Sequence, residues 1–589
     1  MTIDLALNRY RWQFAPGCEG QASQRLAREL GVHPVIAELL SRRGCGDVEA
    51  ARGFLSPQLN AMHDPALLPG VPEAADRLLR AAGVGQPIVI YGDYDVDGIT
   101  ASAILWHTLK LVGAAVTTYI PHRIDEGYGL NREAIEMFAA ADPRPVVVSV
   151  DCGITATGPA EAARRAGLDL IITDHHSLLP GDLPPASILV HPALPGSAYP
   201  FDKLCGAGVA FKLAWQIGRV ACGSERVSQT FRSLLLDLMS LAALGTVADV
   251  VPLVDENRVL TRYGLGQIKR TQFVGLNALI DASGLRSEKI DAFHVGFVLG
   301  PRINACGRMG HAGEALHLLT EAGRQEAERI AKHLTAENDR RRRVERRIYE
   351  QAAAMVMQAG YDAADQRAIV LAAEGWHQGV IGIVASRLVD TFCRPVVLLT
   401  SDQGVAHGSA RSVPGVSIHR ALTEAAHLMT SFGGHDMAAG MVLPTENIGE
   451  LRHIIVEYVN SELDEADLVP TLDIDATTPL EALTFDFMEQ LDKLAPFGRG
   501  NHAPIFSLHG AELDRPAERV GGEGRHLRLN LRQGEARHSA IGFGLGTLAE
   551  HLPAGAAVDV AFEPKLSTWN GRRQIEVHIK DLRLARQAG

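Results

Sequence analysis

Three short apolar runs in the first half of the chain each stop at acidic or imidazole side chains. Pro87-Ile88-Val89-Ile90-Tyr91 leads into Gly92-Asp93-Tyr94-Asp95-Val96-Asp97-Gly98, and Val146-Val147-Val148-Ser149-Val150 into Asp151-Cys152-Gly153. Leu168-Asp169-Leu170-Ile171-Ile172-Thr173 leads into Asp174-His175-His176. A fourth polar cluster, Gly245-Thr246-Val247-Ala248-Asp249-Val250-Val251-Pro252, follows the apolar stretch Leu234 to Leu244. Crowded carboxylates repel and raise one another's pKa unless cations hold them. Hard oxygen donors with one or two imidazoles suit Mn²⁺ or Mg²⁺. Two such ions about 3.5–4 Å apart activate water and stabilise both the attacking and the leaving oxygen of a phosphate ester. A single aspartate after a strand is ordinarily a helix N-cap, and adjacent histidines are ordinarily surface or core residues. Three such strand ends in one domain are what point to a metal-dependent site.

The elements that must position these side chains alternate strand, loop and helix. That alternation implies an α/β fold with a doubly wound, mostly parallel sheet and right-handed crossovers, which binds ligands beyond the carboxyl ends of its strands. Residues 1–74 read as an N-terminal helical extension without a chemical motif, and 75–313 as the α/β domain. A connecting helix is expected over 314–360, with the basic run Arg340-Arg341-Arg342-Arg343 on its solvated face. A smaller α/β unit over 361–460 begins with Ala368-Ile369-Val370-Leu371-Ala372. After the acidic stretch Ser461 to Asp467, residues 461–589 carry short alternating strands such as His526 to Leu531 and Gln574 to Ile579, separated by Gly-rich turns, as in a small OB-like β-barrel.

Length and composition agree with this plan. The 589 residues exceed the usual domain size several-fold, and 46% hydrophobic with 21% charged residues is ordinary for a globular chain. No uninterrupted apolar stretch of about 18 residues predicts a membrane span, and the first ten residues do not read as a secretory signal. Seven cysteines, at 18, 45, 152, 205, 222, 306 and 393, form no C-x-x-C pair. Their scatter argues against a zinc site and a disulfide framework, and a reducing cytoplasm fits best. A net charge of −12 counts slightly against nucleic-acid binding, but phosphate needs only a local basic groove, and a carboxylate site stays acidic until its metals bind.

At these residues the chain resembles a known family. Asp95-Val96-Asp97-Gly98, Val150-Asp151-Cys152-Gly153 and Asp174-His175-His176 are similar to the first three signature motifs of the DHH phosphoesterases, and Asp249 in Ala248-Asp249-Val250-Val251-Pro252-Leu253 to the fourth. The likeness continues through Gly300-Pro301-Arg302-Ile303-Asn304-Ala305 and Gly307-Arg308-Met309-Gly310. It reaches a DHHA1-type second domain at Gly408-Ser409-Ala410-Arg411-Ser412 and Gly433-Gly434-His435-Asp436. Within that superfamily, Glu126-Gly127-Tyr128-Gly129-Leu130, Gly375-Trp376-His377-Gln378-Gly379 and Pro496-Phe497-Gly498-Arg499-Gly500-Asn501 resemble the RecJ family of single-strand exonucleases. Coverage runs from about 75 to the C-terminus.

The resemblance implies hydrolysis of single-stranded DNA from the 5′ end to 5′-mononucleotides, with two Mn²⁺ or Mg²⁺ ions, in repair and recombination. Asp95, Asp97, Asp151, His175 and Asp249 would be the metal ligands, with Asp151 bridging, while Asp93 and Asp174 would bind metal or orient the loops. His176 would touch the scissile phosphate or move a proton, and Arg302 would steady its charge. Arg123, Ser409 and Arg411 resemble a 5′-phosphate pocket, Tyr128 would stack on a base, and Gly433 and Gly434 would let the backbone near His435 approach a phosphate. On the barrel, Arg525, Arg528, Arg532, Arg572 and Arg573 would contact the strand, and Trp569 would stack or pack. Tyr91 stands where many smaller members place a metal-binding His, leaving a water as the candidate replacement, and His311 stands where many relatives are acidic. Single-strand-binding protein and a helicase are implied partners, for a monomer without membrane contact. Two rival readings stand beside this one: a phosphoesterase of short oligonucleotides or cyclic dinucleotides, and a single-strand-binding scaffold without catalysis.

Overall fold

Strand β1 (Arg11–Phe14) and helices Gly20–Leu30, Pro34–Arg42 and Val48–Leu55 open the chain in the computed structural model. The structure describes residues 9–15, 20–122, 126–127, 129–179, 181–309, 312–363, 365–569 and 572–585. Two compact units result, one of residues 57–341 with 495–502, the other of 1–56, 342–494 and 503–589.

In the first unit, β2 (Ile88–Gly92), β3 (Val116–Tyr119), β4 (Val146–Val150), β5 (Leu170–Thr173) and β6 (Ile188–Val190) form an all-parallel sheet in the order β3-β2-β4-β5-β6. β2, β4 and β5 are buried along their whole length, which is why they read as unbroken apolar runs rather than alternating ones. Their side chains divide by face. Ile88, Ile90, Val146, Val148, Val150 and Ile171 join helices Val96–Leu111, Gly206–Cys222 and Gln229–Ala248 in the main core. Val89, Tyr91, Val147, Leu170 and Ile172 pack with Ile135 and Phe138 of helix Arg132–Ala139 and Ala160 and Ala163 of helix Thr157–Ala166. The strand order reverses direction beside β2 and β4, and that switch point is where a doubly wound sheet opens a crevice. Helix Gln229–Ala248 is long and apolar enough to cross a membrane by composition alone, yet most of it is buried in this core.

The stretch expected as one connecting helix holds two, Gly313–Leu319 and Arg324–Ala359. The N–H groups of Thr320, Glu321 and Ala322 all turn onto the His317 carbonyl (3.3, 3.1 and 3.1 Å), ending the first helix before Gly323. In the basic run, Arg340, Arg342 and Arg343 are exposed and Arg341 is half-buried.

In the second unit, β7 (Ile369–Glu374), β8 (Val396–Asp402), β9 (Val405–Arg411), β10 (Ser431–His435) and β11 (Ala438–Pro444) form a mixed sheet in the order β10-β11-β9-β8-β7, parallel only between β7 and β8. Beyond it come β12 (Thr471–Ile474), β13 (Ala476–Thr477), β14 (Phe506–Leu513), β15 (Glu518–Val520), β16 (His526–Gln533), β17 (Ala536–Gly542), β18 (Ala557–Trp569) and β19 (Arg572–Leu584). β14, β18, β19, β17 and β16 pair in turn, and β16 pairs back to β14, closing a barrel around Phe506, Leu529 and Phe562. The N-terminal extension is not purely helical, since β1 pairs in parallel with β12 and the Trp12 indole donates to Asp581 (2.7 Å). Four residues are too few to show a strand period, so only the aromatic pair Trp12 and Phe14 hinted at it.

Candidate metal centre

The loop after β2 places its aspartates by backbone contacts. Asp95 caps helix Val96–Leu111, its Oδ1 accepting from the Asp97 and Gly98 N–H groups (2.9 and 3.1 Å). Asp97 lies in the first turn of that helix, where its two oxygens accept from Gly206 N (2.6 Å) and Ala207 N (2.8 Å) at the start of helix Gly206–Cys222. A helix N-terminus favours such an anion. Asp151 sits at φ 61° just after β4, a left-handed conformation that turns its carboxylate toward the others. Two glycines leave room for this crowd: a Cβ at Gly206 would lie 2.6 Å from Asp151 Oδ1, and one at Gly245 would lie 2.4 Å from Asp97 Oδ1. Asp249 follows the last residue of helix Gln229–Ala248.

These carboxylates meet at one imidazole. His175 Nε2 lies 3.1 Å from Asp151 Oδ1, 3.6 Å from Asp249 Oδ2 and 3.7 Å from Asp97 Oδ2. Asp151 Oδ1 and His175 Nε2 are both buried, and neither makes a hydrogen bond among the described residues. Burial holds the imidazole below its usual pKa, and burial with the charges of Asp97, Asp95, Asp93 and Asp249 drives Asp151 well above the usual carboxylate range. Asp249 is pushed up to about 8 by burial, Asp97 and Asp95, against the opposing charges of His176 and Arg499. Asp95 is raised by burial and Asp97. Three sets of potential ligand atoms lie within 4.8 Å of one another: Asp93, Asp95 and Asp151; Asp97, His175 and Asp249; and Asp151, His175 and His176. Buried, mutually repelling oxygens with orphaned donor atoms are the signature of a place for hard divalent cations, so the residues present fit the expected ions.

Asp174 and His176 form a different pair. Asp174 Oδ1 accepts from the backbone N–H of His175 and His176 (2.7 and 3.1 Å) and lies 2.7 Å from His176 Nδ1, while Oδ2 accepts from Ile154 N (2.9 Å). Burial works against both charges, but their mutual attraction wins. Asp174 falls to about 2 and His176 rises to about 9. Asp174 thus orients His176.

Several other residues take positions the sequence left open. The Tyr91 hydroxyl donates to the Gly129 carbonyl (2.9 Å) and accepts from Asn131 (3.1 Å), with its ring packed on the opposite sheet face. Arg302 donates to the Val298 carbonyl (2.7 Å) and to Thr335 Oγ1 (3.3 Å). The arginine that lines the polar pocket of about 300 Å³ beside Asp93 and Asp95 is Arg308, together with Asn304 and Gly307. Asn304 also accepts from Val96 N (3.0 Å), fixing the start of the helix that Asp95 caps. Sequence reasoning missed Arg499, which bonds the Val250 carbonyl and whose charge reaches Asp249. Nothing in a linear reading connects residues so far apart. Arg123, Tyr128 and His311 lie outside the described residues.

In the other unit, Arg411 ends β9 with Nη1 donating to Ser409 Oγ (3.0 Å) and the Ala410 carbonyl (2.7 Å). Burial lowers its pKa, and no carboxylate pairs with it among the described residues. His435 is exposed at the end of β10, and the backbone that crowds Gly434 is Ala438 and Ala439 of its own hairpin. On the barrel, Arg525 and Arg528 are exposed, Arg532 pairs with Glu512 and Asp514, and Arg573 lies 5.6 Å over the Phe485 ring. The side chains of Trp569 and Arg572 lie outside the described residues. Phe543, 57% exposed between His526 and His578 (5.3 and 5.5 Å), is an aromatic surface that the arginine count did not flag.

Comparison with known proteins matches the chain to the DHH family N-terminal domain over residues 87–246, the DHHA1 domain over 365–461 and the RecJ OB domain over 474–581. A single-stranded-DNA-specific exonuclease RecJ of Bacillus subtilis is 38% identical over 98% of this chain and 71% of its own length. One from Dickeya dadantii is 33% identical over 93% and 96%. The crystal structure of RecJ from Thermus thermophilus in complex with Mn²⁺ superposes with a TM-score of 0.83 at 33% identity, covering 98% of this chain and 80% of that one. With these three domain matches and 38% identity to a RecJ along 98% of its length, the chain belongs to the RecJ family of the DHH superfamily.

Proposed function

We propose that this chain is an exonuclease that hydrolyses single-stranded DNA in the 5′→3′ direction to 5′-mononucleotides, using two Mn²⁺ or Mg²⁺ ions, in DNA repair and recombination. Family membership supports the substrate and reaction. The observation that carries the chemistry is the meeting of Asp97, Asp151 and Asp249 around His175 Nε2 within 3.7 Å.

Asp93, Asp95 and Asp151 would hold one ion and Asp97, His175 and Asp249 the other, with Asp151 close to both. Bound there, the ions supply a water nucleophile at neutral pH and neutralise charge on the phosphate. The chain's own groups do the rest. The Gly206 and Ala207 amides hold Asp97 in place. His176, kept cationic by Asp174, faces the phosphate and gives a proton to the 3′-oxygen as its bond to phosphorus breaks. Arg308 and Asn304 beside Asp93 and Asp95 offer donors to phosphate oxygens, with Arg302 a more distant contributor. Ser409 and Arg411 meet the 5′-phosphate and His435 adds a phosphate contact, while Arg123 and Tyr128 are assigned to DNA contact by the family resemblance alone. The division into an extension over 1–74, a catalytic domain over 75–313, a connecting segment over 314–360, a substrate-binding domain over 361–460 and a strand-binding barrel over 461–589 belongs to the same proposal. So do a monomeric state, a cytoplasmic setting in keeping with the free thiols Cys45, Cys152, Cys205, Cys222, Cys306 and Cys393, and work beside single-strand-binding protein and a helicase.

The deciding experiment digests a long single strand labelled separately at each end, with and without Mn²⁺. Mononucleotide release that begins at the 5′ label and requires the metal is expected. Release from the 3′ label, internal cuts or metal-independent turnover would overturn the reading.

A further inference from the structure

We propose that Cys306, Glu314 and His333 form a second metal site, separate from the carboxylate centre, that takes Zn²⁺. The three residues belong to one unit and come from three helices, Gly300–Met309, Gly313–Leu319 and Arg324–Ala359, and their ligand atoms all lie within 4.8 Å of one another. His333 Nε2 is 3.3 Å from Glu314 Oε2. Ligands about 2.0–2.3 Å from a tetrahedral zinc stand about 3.3–3.8 Å apart, so one edge of the tetrahedron is already at its length. The two edges to the Cys306 thiol, each within 4.8 Å, would close by up to about 1 Å through side-chain rotation of Cys306 and its two partners.

An ordinary ion pair next to a core thiol would look similar in outline. Two features set this cluster apart. The Glu314 oxygen that faces His333 is itself buried although the rest of that side chain is partly exposed, so it turns toward the thiol and the imidazole and away from solvent. Cys306 is 3% exposed and packs in the main apolar core, yet Glu314 and Glu337 lie close enough to act on its thiol, so a cation there would meet acidic side chains. Burial with the charges of Glu314 and Glu337 pushes the thiol up to about 12. It is therefore protonated until a cation arrives, and binding releases that proton to solvent. A sulfur, an imidazole and one carboxylate together suit Zn²⁺, whereas the all-oxygen and imidazole set of the other centre suits Mn²⁺ or Mg²⁺. Glu314 and His333 are partly exposed, which leaves solvent for a fourth position. The absence of a C-x-x-C pair had spoken against zinc, but that rule reads neighbours in sequence and is blind to ligands gathered from three helices. An ion here would tie the long helix to the one carrying Asn304 and Arg308, which line the pocket beside Asp93 and Asp95.

Co²⁺ is the probe, because a thiolate ligand gives it a sulfur-to-metal charge-transfer absorption that aspartate and histidine do not. The full-length chain titrated with Co²⁺ is expected to show this band, and Zn²⁺ to abolish it by displacement. Asp151→Asn should leave the band intact, and Cys306→Ser should remove it. His333→Ala, at a half-exposed position where circular dichroism should show an unchanged fold, should weaken Co²⁺ binding at least about tenfold. A missing band in the parent chain, a band that survives Cys306→Ser or vanishes in Asp151→Asn, or unchanged affinity in His333→Ala would each overturn the proposal.

Discussion

The carboxylate corner of one unit and the Ser409–Arg411 corner of the other share one physical ingredient, a charged group taken out of water, with opposite sign. Around His175, burial and like charges raise Asp95, Asp151 and Asp249 together, and no lysine or arginine forms an ion pair with them among the described residues. Around Arg411, burial alone lowers the guanidinium, and its hydrogen bonds go to neutral oxygens. A buried charge without a counter-charge costs stability, so each corner is informative about what should fill it. The acidic corner calls for cations and the basic one for an anion such as a phosphate. The sign of the deficit at each corner names the ligand class directly.

The comparison is broken most severely at Asp151. Asp151→Ala is expected to lower single-turnover cleavage in Mn²⁺ at least about 10³-fold, since several kcal/mol of charge stabilisation pass through the ions it holds. Without metal the same variant should melt no lower than the parent, because an orphaned buried carboxylate has gone. Unchanged turnover would remove the metal centre from the chemistry. At the other corner, Arg411→Ala should cost roughly 10- to 100-fold in kcat/KM on 5′-phosphorylated strands, the value of about 1.5–3 kcal/mol for a charged hydrogen bond. Little should be lost on 5′-hydroxyl strands. Equal losses on both substrates would deny Arg411 its anion.

The two corners were not equally legible in the sequence. β2, β4 and β5 are buried on both faces, so their apolar runs and the acidic residues that end them stand out, and a parallel sheet must bring those ends to one edge. Asp95 shows why any one of them was ambiguous: it is an N-cap as well as a candidate ligand. Arg411 sits on an alternating strand in a mixed sheet, where a lone arginine has no periodic signal, and only the family likeness pointed to it. Arg499 and the cluster of Cys306, Glu314 and His333 were illegible because tertiary packing alone assembles them. β1 was missed because four residues are too short to show a period, and the break at Gly323 because His317 collects three amides at once.

Proton linkage sharpens the contrast further. Asp249 titrates near 8 in the metal-free fold against 3.8 when unperturbed. A raised acid stabilises the fold fully below its unfolded pKa and loses that contribution as pH rises through its folded one. The metal-free chain should therefore lose stability between about pH 4 and about pH 8. Mn²⁺ must displace the same proton, so its affinity should rise over that window by up to about tenfold per pH unit. Melting curves of wild type and Asp249→Asn, with and without Mn²⁺, read this directly. A wild-type-minus-variant difference that stays flat with pH would refute it.

The smallest effect separates stability from ligand recognition at the basic corner. A Cβ on Gly382, inside helix Gln378–Phe392, would lie 2.9 Å from Ser409 Oγ and 3.0 Å from Arg411 Nη2. Both contacts are ends of side chains that can swing aside, so Gly382→Ala should fold, and a helical alanine gains about 0.5–1 kcal/mol over glycine. The swing, however, moves the guanidinium and hydroxyl that are proposed to meet the 5′-phosphate. The expected result is an unchanged or slightly higher melting temperature with a several-fold smaller preference for 5′-phosphorylated ends. If the preference stayed intact while Arg411→Ala abolished it, the guanidinium would have to tolerate displacement, and the pocket would select by charge alone and not by geometry.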